Sequence, residues 1–519
     1  MSFEKRIDNL FQIWQRELCP GGQILVSQYG KTLYRKNFGY ANLEFNMPIT
    51  NKTYFHLASL SKQVTVLALM LLVEEGKLSL EDDVKEHLPE YIHFTEKVSL
   101  RQLINNTSGI RDQWQSLNFS GVRINDTISQ EDLLGTISRQ RHLNFAPNSQ
   151  YLYSNSNFTL LAEIVAKISG QAFPEFVRKR IFEPLGMNST LIRSELDQIL
   201  PLRATSYIDD GQGNFKVATL SYSVYGATSV TSSVDDFHKF VDNYRNPKVG
   251  QIDSLKFMEN QPQLADGEFS TYGGGLMLND YKGFRVVEHG GADAGFRAHM
   301  LRIPEEDLAI LIFSNTQNMV LSLIARRIAN IVLNLVEDKP ALLEIKEQSE
   351  QRARYGLFAS EDYLNIVKIQ FDKEKNAFKK DETILRHLEH NRYRLGYTAT
   401  EYYFSKDGFT EVIGPNTKDY KFIADKPLPP GDAYAYCGKY YSEEIAGTYE
   451  IVCRNNFLYF KHFRHGEHRI YQSENSNTLF FSQNKRLNAL FTFGQEAQGK
   501  FNKLTLSGGR IKGIELNRI

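Results

Sequence analysis

The sequence predicts a chain of the α+β class, in which a mixed helical and β domain is followed by an all-β tail. Up to about residue 338, short apolar runs typical of strands alternate with longer segments of helical periodicity. Beyond Lys339-Pro340 the chain changes to short runs rich in Tyr and Phe that are separated by turn residues. At 519 residues the chain is also too long for one ordinary domain.

Two amphipathic helices are predicted near the ends of the first domain, residues 1–338. Apolar side chains recur at helical spacing over residues 3–18 and again over residues 321–336. Between them, the runs at 23–27 and 308–313 are short and apolar, as in strands. We expect the two helices to pack side by side and to close the domain.

Three further secondary-structure elements are predicted next to the candidate catalytic residues described below. Residues 64–73 are apolar nearly all round and predict a buried central helix that ends near Gly76. Residues 158–168 predict an amphipathic helix, and residues 284–287 predict a strand.

The tail is predicted to be antiparallel β structure. Three pairs of turn residues, each flanked by short alternating or aromatic runs, mark hairpins: Asp407-Gly408, Asn455-Asn456 and Gly508-Gly509.

A short internal similarity indicates that the tail is duplicated. Gly-Leu-Phe-Ala-Ser-Glu-Asp at 356–362 resembles Gly-Lys-Tyr-Tyr-Ser-Glu-Glu at 438–444, which lies 82 residues later (438 less 356). We interpret the tail as two copies of one β unit, over residues 339–427 and 432–519. The Pro-rich segment 427–431 would then be a stiff joint.

Overall charge and cysteine content restrict the partners. The 61 basic and 61 acidic side chains balance, which gives no reason to expect nucleic acid or an anionic membrane surface. A small molecule or short peptide is the expected partner. Cys19, Cys437 and Cys453 are odd in number and lack CxxC spacing, so neither a disulfide framework nor a zinc site is expected.

A cytoplasmic location is expected. Charged residues interrupt the apolar runs of the first residues, unlike those of a signal peptide. No apolar stretch reaches the roughly 18 residues that a membrane-spanning helix needs.

The first candidate for chemistry is Ser59, which lies just before the predicted buried helix. Lys62 follows one turn later on the same face, within reach of the serine hydroxyl. A lysine acts as a base only if its pKa falls. Burial or a neighbouring cation lowers the pKa of a lysine in this way. Ser-x-x-Lys also occurs at Ser2 and Ser482, and Ser59 could instead be a helix cap.

The second candidate is the polar loop that precedes the helix predicted at 158–168. Tyr153 in this loop could relay a proton between a nucleophile and a leaving group. Asn155 could orient Lys62 or bind a substrate carbonyl. The same segment could also be a helix-capping loop with a packed aromatic ring.

The third candidate is His289-Gly290-Gly291-Ala292, which follows the strand predicted at 284–287. Glycines on an edge strand let a substrate backbone approach closely. A backbone N–H there could complete an oxyanion hole with that of Ser59. Alone, the segment is a glycine-rich turn.

The three elements, in this order, resemble those of the serine β-lactamase and penicillin-binding-protein superfamily, and in particular its class C-like branch of D-aminopeptidases and esterases. That superfamily uses Ser-x-x-Lys, then Tyr-x-Asn, then Lys-Thr-Gly or His-x-Gly. The segments at 98–110 and 181–187 resemble its Leu-Leu-x-His-Thr-Ser-Gly-Leu and Pro-Leu-Gly-Met motifs. The resemblance covers about residues 1–335.

The resemblance implies roles for the candidate residues. Ser59 would be the nucleophile, Lys62 its general base, Tyr153 the proton relay, and Asn155 a contact of the substrate or the lysine. His289 stands where many relatives have the lysine of Lys-Thr-Gly.

The resemblance also implies a fold. A β-lactamase-like domain would combine a helix-covered antiparallel sheet with an all-helical lobe, and the tail would form two barrel-like domains. The site would lie in the cleft between sheet and lobe, and Ala292 would supply the second oxyanion N–H. No metal or organic cofactor is implied.

The function implied is that of a serine hydrolase acting through an acyl-enzyme on small ester or amide substrates, like a D-aminopeptidase or an esterase. A neutral His289 would bind a carboxylate less firmly than a lysine, which disfavours a D-Ala-D-Ala carboxypeptidase or β-lactamase.

Two functions of a different kind are compatible with the sequence. A chain with this fold could be a non-catalytic binding protein. The run that contains His462, His465 and His468 could bind a metal ion, although a solvated hairpin is the simpler interpretation.

Overall fold

A computed structural model describes residues 2–123, 125–210, 213–336, 355–361, 366–380, 383–395, 400–413, 416–423, 426–473, 476, 479–483 and 487–519. It confirms the predicted α+β class and the all-β tail. No helix within these residues is long and apolar enough to span a bilayer.

A six-stranded antiparallel sheet forms the centre of the first domain. The runs predicted as strands at 23–27, 284–287 and 308–313 all lie in it. In order across the sheet, its strands are Met277–Tyr281, Phe284–Asp293, Phe296–Ile303, Leu308–Ser314, Gly22–Gln28 and Lys31–Phe38.

The helices predicted at 3–18 and 321–336 pack together on one face of this sheet, as expected. The second is the helix Leu321–Val332. The first is not one continuous helix: an α-helix, Phe3–Asp8, passes into a 3₁₀ segment, Asn9–Gln15. The 3₁₀ segment is itself broken at Phe11, whose backbone is not helical and whose ring is completely buried against the sheet.

The helical lobe covers the other face of the sheet. Its centre is the predicted buried helix, Ser61–Glu74, which packs against Asn155–Ser169. The other helices of the first domain are Val84–His87, Leu100–Ile104, Gln113–Phe119, Gln130–Ser138, Phe173–Val177, Val234–Asp242 and Ile252–Met258, with 3₁₀ turns at Ala58–Leu60 and Pro304–Glu306 and a π turn at Arg178–Phe182.

Short strands connect the sheet and the lobe. They pair as Tyr40–Asn42 with Met47–Pro48, Phe55–His56 and Leu191–Ile192 with Val230–Ser232, Ile128–Ser129 with Tyr222–Ser223, and Tyr207–Asp209 with Phe215–Val217.

The first part of the tail is a closed antiparallel barrel around an aromatic core. Phe358, Tyr402 and Phe409 are buried inside it. Its eight strands, each bonded to the next, are Gly356–Ala359, Ile366–Asp372, Ala377–Lys380, Thr383–Glu389, Arg392–Leu395, Thr400–Phe404, Gly408–Ile413 and Asn416–Ile423.

The second part of the tail is a nine-stranded antiparallel sheet that curls into a barrel-like form. Its two edge strands, Gly466–Arg469 and Tyr471–Gln472, are separated only by Ile470, so one segment of chain joins both edges. A short helix, Ala433–Tyr436, precedes it. The other strands are Gly438–Ser442, Gly447–Arg454, Phe457–His462, Leu479–Gln483, Asn488–Ala497, Lys500–Gly508 and Ile511–Arg518.

The two tail units share one strand order, which supports the predicted duplication. Each is an up-and-down meander whose first strand also pairs with its last, and the first strands begin at Gly356 and Gly438, where the internal similarity begins. The boundaries at residues 1–338, 339–427 and 432–519 stay predictions, and the first of them lies outside the described residues.

A buried seam joins the second barrel to the helical lobe. The Arg111 guanidinium, 2% exposed, lies 2.6 Å from the Glu444 carboxylate and also donates to the Lys512 carbonyl oxygen. Tyr449 donates to the Phe119 carbonyl oxygen at 2.8 Å, and Phe119 is buried in the barrel's core.

The histidine run forms a hairpin, as expected, but it lies in this seam, so the prediction that the hairpin is solvated is wrong for His462 and His465. His462 and His465 are 4% and 1% exposed, and His465 Nε2 lies 2.7 Å from the Asn118 carbonyl oxygen. Burial lowers the pKa of His462 to about 4. Among the described residues, no three His, Cys, Asp or Glu side chains are placed to hold a metal ion.

Glu444→Ala is expected to destabilise the protein by about 3 to 5 kcal/mol, because it leaves the buried Arg111 charge without a counter-charge. Chemical denaturation of the purified variant measures this loss. Glu443→Ala removes an exposed carboxylate one position away and serves as the control. Equal stability of the two variants would contradict the importance of the ion pair.

Candidate active site

Ser59 lies in the 3₁₀ turn Ala58–Leu60, directly before the central helix. Ala58 adopts a left-handed backbone, with φ of 48°, which costs a non-glycine residue about 1 to 3 kcal/mol. The turn is held from behind by Ser61, whose hydroxyl donates to the Ala58 carbonyl oxygen at 2.6 Å and accepts from the Val230 N–H at 3.0 Å. Ser59 does not cap the helix, since the capping position is Leu60.

Lys62 is completely buried beneath the serine. Its Nζ lies 3.0 Å from Ser59 Oγ, 2.8 Å from Asn155 Oδ1 and 2.8 Å from the Ala227 carbonyl oxygen. None of these three partners is a carboxylate. Burial lowers the pKa of Lys62 well below the ordinary value, and the positive charge of Arg510 adds to the effect.

Tyr153 completes the contacts of the serine. Its phenol donates to Ser59 Oγ at 2.7 Å, and its ring lies 4.8 Å from Lys62 Nζ. Burial raises the pKa of Tyr153, so the phenol keeps its proton at neutral pH.

Asn155 is the first residue of the helix Asn155–Ser169, and Asp112 fixes its side chain. Asp112 Oδ2 accepts from the Asn155 backbone N–H at 2.8 Å and from Asn155 Nδ2 at 2.7 Å. The backbone and the side-chain amide of Asn155 are thereby both oriented, so that Oδ1 faces Lys62.

His289 is buried and neutral in this site. Burial lowers the pKa of His289 to about 3. Its Nδ1 lies 2.7 Å from the Gly290 carbonyl oxygen, and its Nε2 lies 3.1 Å from the Tyr272 hydroxyl. Both ring nitrogens therefore have protein partners.

Gly291 brings its strand directly against the turn that carries Ser59. A Cβ atom at Gly291 would lie 2.1 Å from the Leu57 carbonyl oxygen, a distance that real Cβ atoms do not reach. At Gly290 the nearest atom would be 3.7 Å away, which is an ordinary contact. The sequence motif thus contains one glycine that packing requires and one that it does not.

Ala292 presents a backbone N–H beside this contact that has no backbone acceptor in the described part of the chain. Asp293 pairs with Phe296 across a two-residue turn, which makes the preceding pair, Ala292 and Arg297, one without mutual hydrogen bonds. The Ala292 N–H therefore points away from its neighbouring strand. The Ser59 N–H, in the first turn of its helical segment, likewise has no backbone acceptor among the described residues.

All eight predicted site residues border one cleft or lie just beneath its floor. The cleft has a volume of about 2000 Å³, and residues of both barrels, including Tyr403 and Arg510, contribute to its wall. Lys62 lies under this floor and the other seven line it: Ser59, Tyr153, Asn155, His289, Gly290, Gly291 and Ala292.

Three residues at the site escaped sequence analysis: Asp112, Tyr272 and Arg510. None of the three belongs to a catalytic motif of the sequence, and each reaches the site only through the tertiary fold. Asp112 follows the Thr-Ser-Gly segment closely, which is the one signal that could have identified it.

A serine, a buried lysine and a tyrosine, placed between an antiparallel sheet and a helical lobe, form the arrangement of the serine β-lactamases and penicillin-binding proteins. The family model described as Beta-lactamase matches residues 7–333, more than half of the chain. The chain belongs to the Beta-lactamase family, which confirms the predicted superfamily.

Relatives extend this similarity. The D-aminopeptidase of Gluconobacter oxydans (strain 621H) is 30% identical over 300 residues, which cover 57% of this chain and 56% of that protein. A D-aminopeptidase of Brucella anthropi is 26% identical over 449 residues, which cover 85% and 82%. The chain spans little more than half the length of the first of these relatives.

One solved structure matches nearly the whole fold. The octameric penicillin-binding protein homologue from Pyrococcus abyssi has a TM-score of 0.58 at 19% identity, and the match covers 99% of both chains. The similarity therefore includes the tail as well as the first domain.

Gly291→Ala is expected to destabilise the protein by at least about 2 kcal/mol, because the new methyl group overlaps the Leu57 carbonyl oxygen. Gly290→Ala on the same strand is expected to cost less than about 1 kcal/mol. Denaturant unfolding of the two variants measures the difference. Similar losses in both would show that the strand does not press on the Ser59 turn.

Proposed function

We propose that the protein is a serine hydrolase that forms an acyl-enzyme at Ser59. The observation that carries this proposal is the pair of contacts on the serine oxygen, with Lys62 Nζ at 3.0 Å and the Tyr153 hydroxyl at 2.7 Å. A nucleophile flanked by a proton acceptor and a proton donor is the arrangement that acyl transfer requires.

Lys62 acts as the base in its neutral form. A neutral amine has two hydrogens and one lone pair, and two carbonyl oxygens, those of Asn155 and Ala227, take the two hydrogens. The lone pair then faces Ser59 Oγ. The lowered pKa of Lys62 favours this form.

The reaction proceeds in two balanced stages. Ser59 Oγ attacks the substrate carbonyl carbon while its proton passes to Lys62, and the backbone N–H groups of Ser59 and Ala292 hold the oxyanion. As the bond to the leaving group breaks, Tyr153 donates a proton to that group and recovers one from Lys62. Water then attacks the ester carbonyl, with the same groups moving the protons, and releases the acid and free Ser59.

Small amides and esters of the D-aminopeptidase or esterase type are the proposed substrates. The barrel residues that wall the cleft limit the size of what can enter, which supports a small molecule or short peptide. His289 is neutral and both of its ring nitrogens have protein partners, so it supplies no cation where the Lys-Thr-Gly lysine would stand, which disfavours the carboxylate binding typical of D-Ala-D-Ala carboxypeptidases and β-lactamases. A binding protein without activity would not need a buried lysine hydrogen-bonded to the serine. We also propose a cytoplasmic location and no nucleic-acid partner.

The proposal predicts that a fluorophosphonate adds to Ser59 and to no other serine. Intact-protein and peptide mass spectrometry of the treated protein locate the adduct. Ser59→Ala should abolish it, together with hydrolysis of p-nitrophenyl acetate and D-alanine p-nitroanilide. Ser2→Ala, which alters another Ser-x-x-Lys sequence, is the control. A wild-type protein that forms no adduct would refute the acyl-enzyme.

The pH dependence of the activity follows from the shifted pKa values of Lys62 and Tyr153. Activity requires neutral Lys62, so kcat/KM should rise as the pH passes upward through a pKa well below the usual lysine value. It should not fall again near the ordinary tyrosine pKa of about 10, because the pKa of Tyr153 is raised. Tyr153→Phe should lower kcat by about 10² to 10⁴-fold. A rise in kcat/KM only near the ordinary lysine pKa of about 10 would contradict the role of Lys62.

A further inference from the structure

A hairpin of the second barrel places Arg510 at the active site. The hairpin joins the strands Lys500–Gly508 and Ile511–Arg518. The Arg510 guanidinium carbon lies 4.6 Å from the centre of the Tyr153 ring, and Arg510 lines the same cleft as Ser59.

The hairpin backbone is held in place by the first domain. The Arg510 N–H donates to Gln115 Oε1 at 2.5 Å, and the Arg510 carbonyl oxygen accepts from Asn144 Nδ2 at 3.0 Å. Arg111 donates to the Lys512 carbonyl oxygen at 3.0 Å. The position of the Arg510 backbone is therefore set by contacts that do not involve the charge of its side chain.

The Arg510 guanidinium has N–H groups available to bind a ligand. It makes no side-chain hydrogen bond with the residues that the structure describes, and its nearest carboxylate oxygen among them, Asp112 Oδ2, is 3.7 Å away. The side chain is 46% exposed. A guanidinium carries five N–H donors in a planar fork that matches a carboxylate.

Three other cations of the site already have protein partners or are buried. Arg326 is paired with Glu288, Arg123 donates to the Arg464 carbonyl oxygen, and Lys62 is buried. Arg510 is the half-exposed cation that contacts the Tyr153 ring.

We propose that Arg510 binds a carboxylate on the leaving-group side of the substrate and so determines specificity. Tyr153 determines on which side of the substrate this carboxylate lies. Arg510 stacks on the Tyr153 ring, and in the proposed mechanism Tyr153 passes a proton to the leaving group. The preferred substrate is then a short peptide whose leaving part ends in a free carboxylate, in preference to the corresponding amide. This inference rests on the function proposed above.

The test compares D-alanylglycine with D-alanylglycinamide, which differ in the charge of the leaving part. Each is added at increasing concentration while a fluorophosphonate labels Ser59, so that the concentration giving half-protection measures binding whether or not the peptide is cleaved. The acid should protect wild-type protein at about tenfold lower concentration than the amide. Arg510→Met should remove this ratio, and Arg510→Lys should retain part of it.

Lys512→Ala is the matched control, because it removes a cation of the same hairpin whose Nζ bonds Gln150 and which does not line the cleft. The acid-to-amide ratio is taken within each variant, so a changed labelling rate cancels. Equal protection by acid and amide in wild type, or an unchanged ratio in Arg510→Met, would overturn the inference about Arg510. Labelling of Ser59 in the same experiment would still support the acyl-enzyme. Absence of labelling in wild type would instead overturn the acyl-enzyme and this inference with it.

Discussion

Burial of the Lys62 amine is the constraint on which the rest of the structure depends. An ammonium group without a bonded carboxylate is unfavourable inside a protein, so burial between two carbonyl oxygens and a serine lowers the pKa of Lys62 and favours its neutral amine. The helix that carries it must be covered on all sides, which requires the sheet, the helical lobe and the glycine strand to meet there. The elements that bury the lysine are therefore the same elements that form the cleft.

A chain of polar contacts connects this lysine to the tail. Asp112 orients Asn155, which accepts from Lys62, and the same carboxylate faces Arg510 on its other side. The positive charge of Arg510 in turn disfavours protonation of Lys62. The second barrel is thus an electrostatic component of the active site as well as a wall of the cleft.

The sequence predicted the local parts of this arrangement well. Ser59 and Lys62 are neighbours on one turn, and the strands and the buried helix follow from apolar periodicity, so short-range pattern determines them. The break at Phe11 escaped prediction because it depends on how a ring fits against the sheet, and the burial of His462 and His465 because it depends on docking of the barrel. Asp112, Tyr272 and Arg510 acquire their places only through contacts between distant segments.

The hairpin that carries Arg510 lies 451 residues after the nucleophile (510 less 59) and belongs to a separate barrel. The bond-making machinery and the surface that selects what reaches it are consequently encoded in different parts of the gene. Under the proposal for Arg510, a substitution in the hairpin changes the selecting surface, while the groups that hydrogen-bond the serine and the lysine stay in place. Such a division lets a lineage acquire new substrates by changing one loop, while the demanding geometry of the reaction centre is inherited intact.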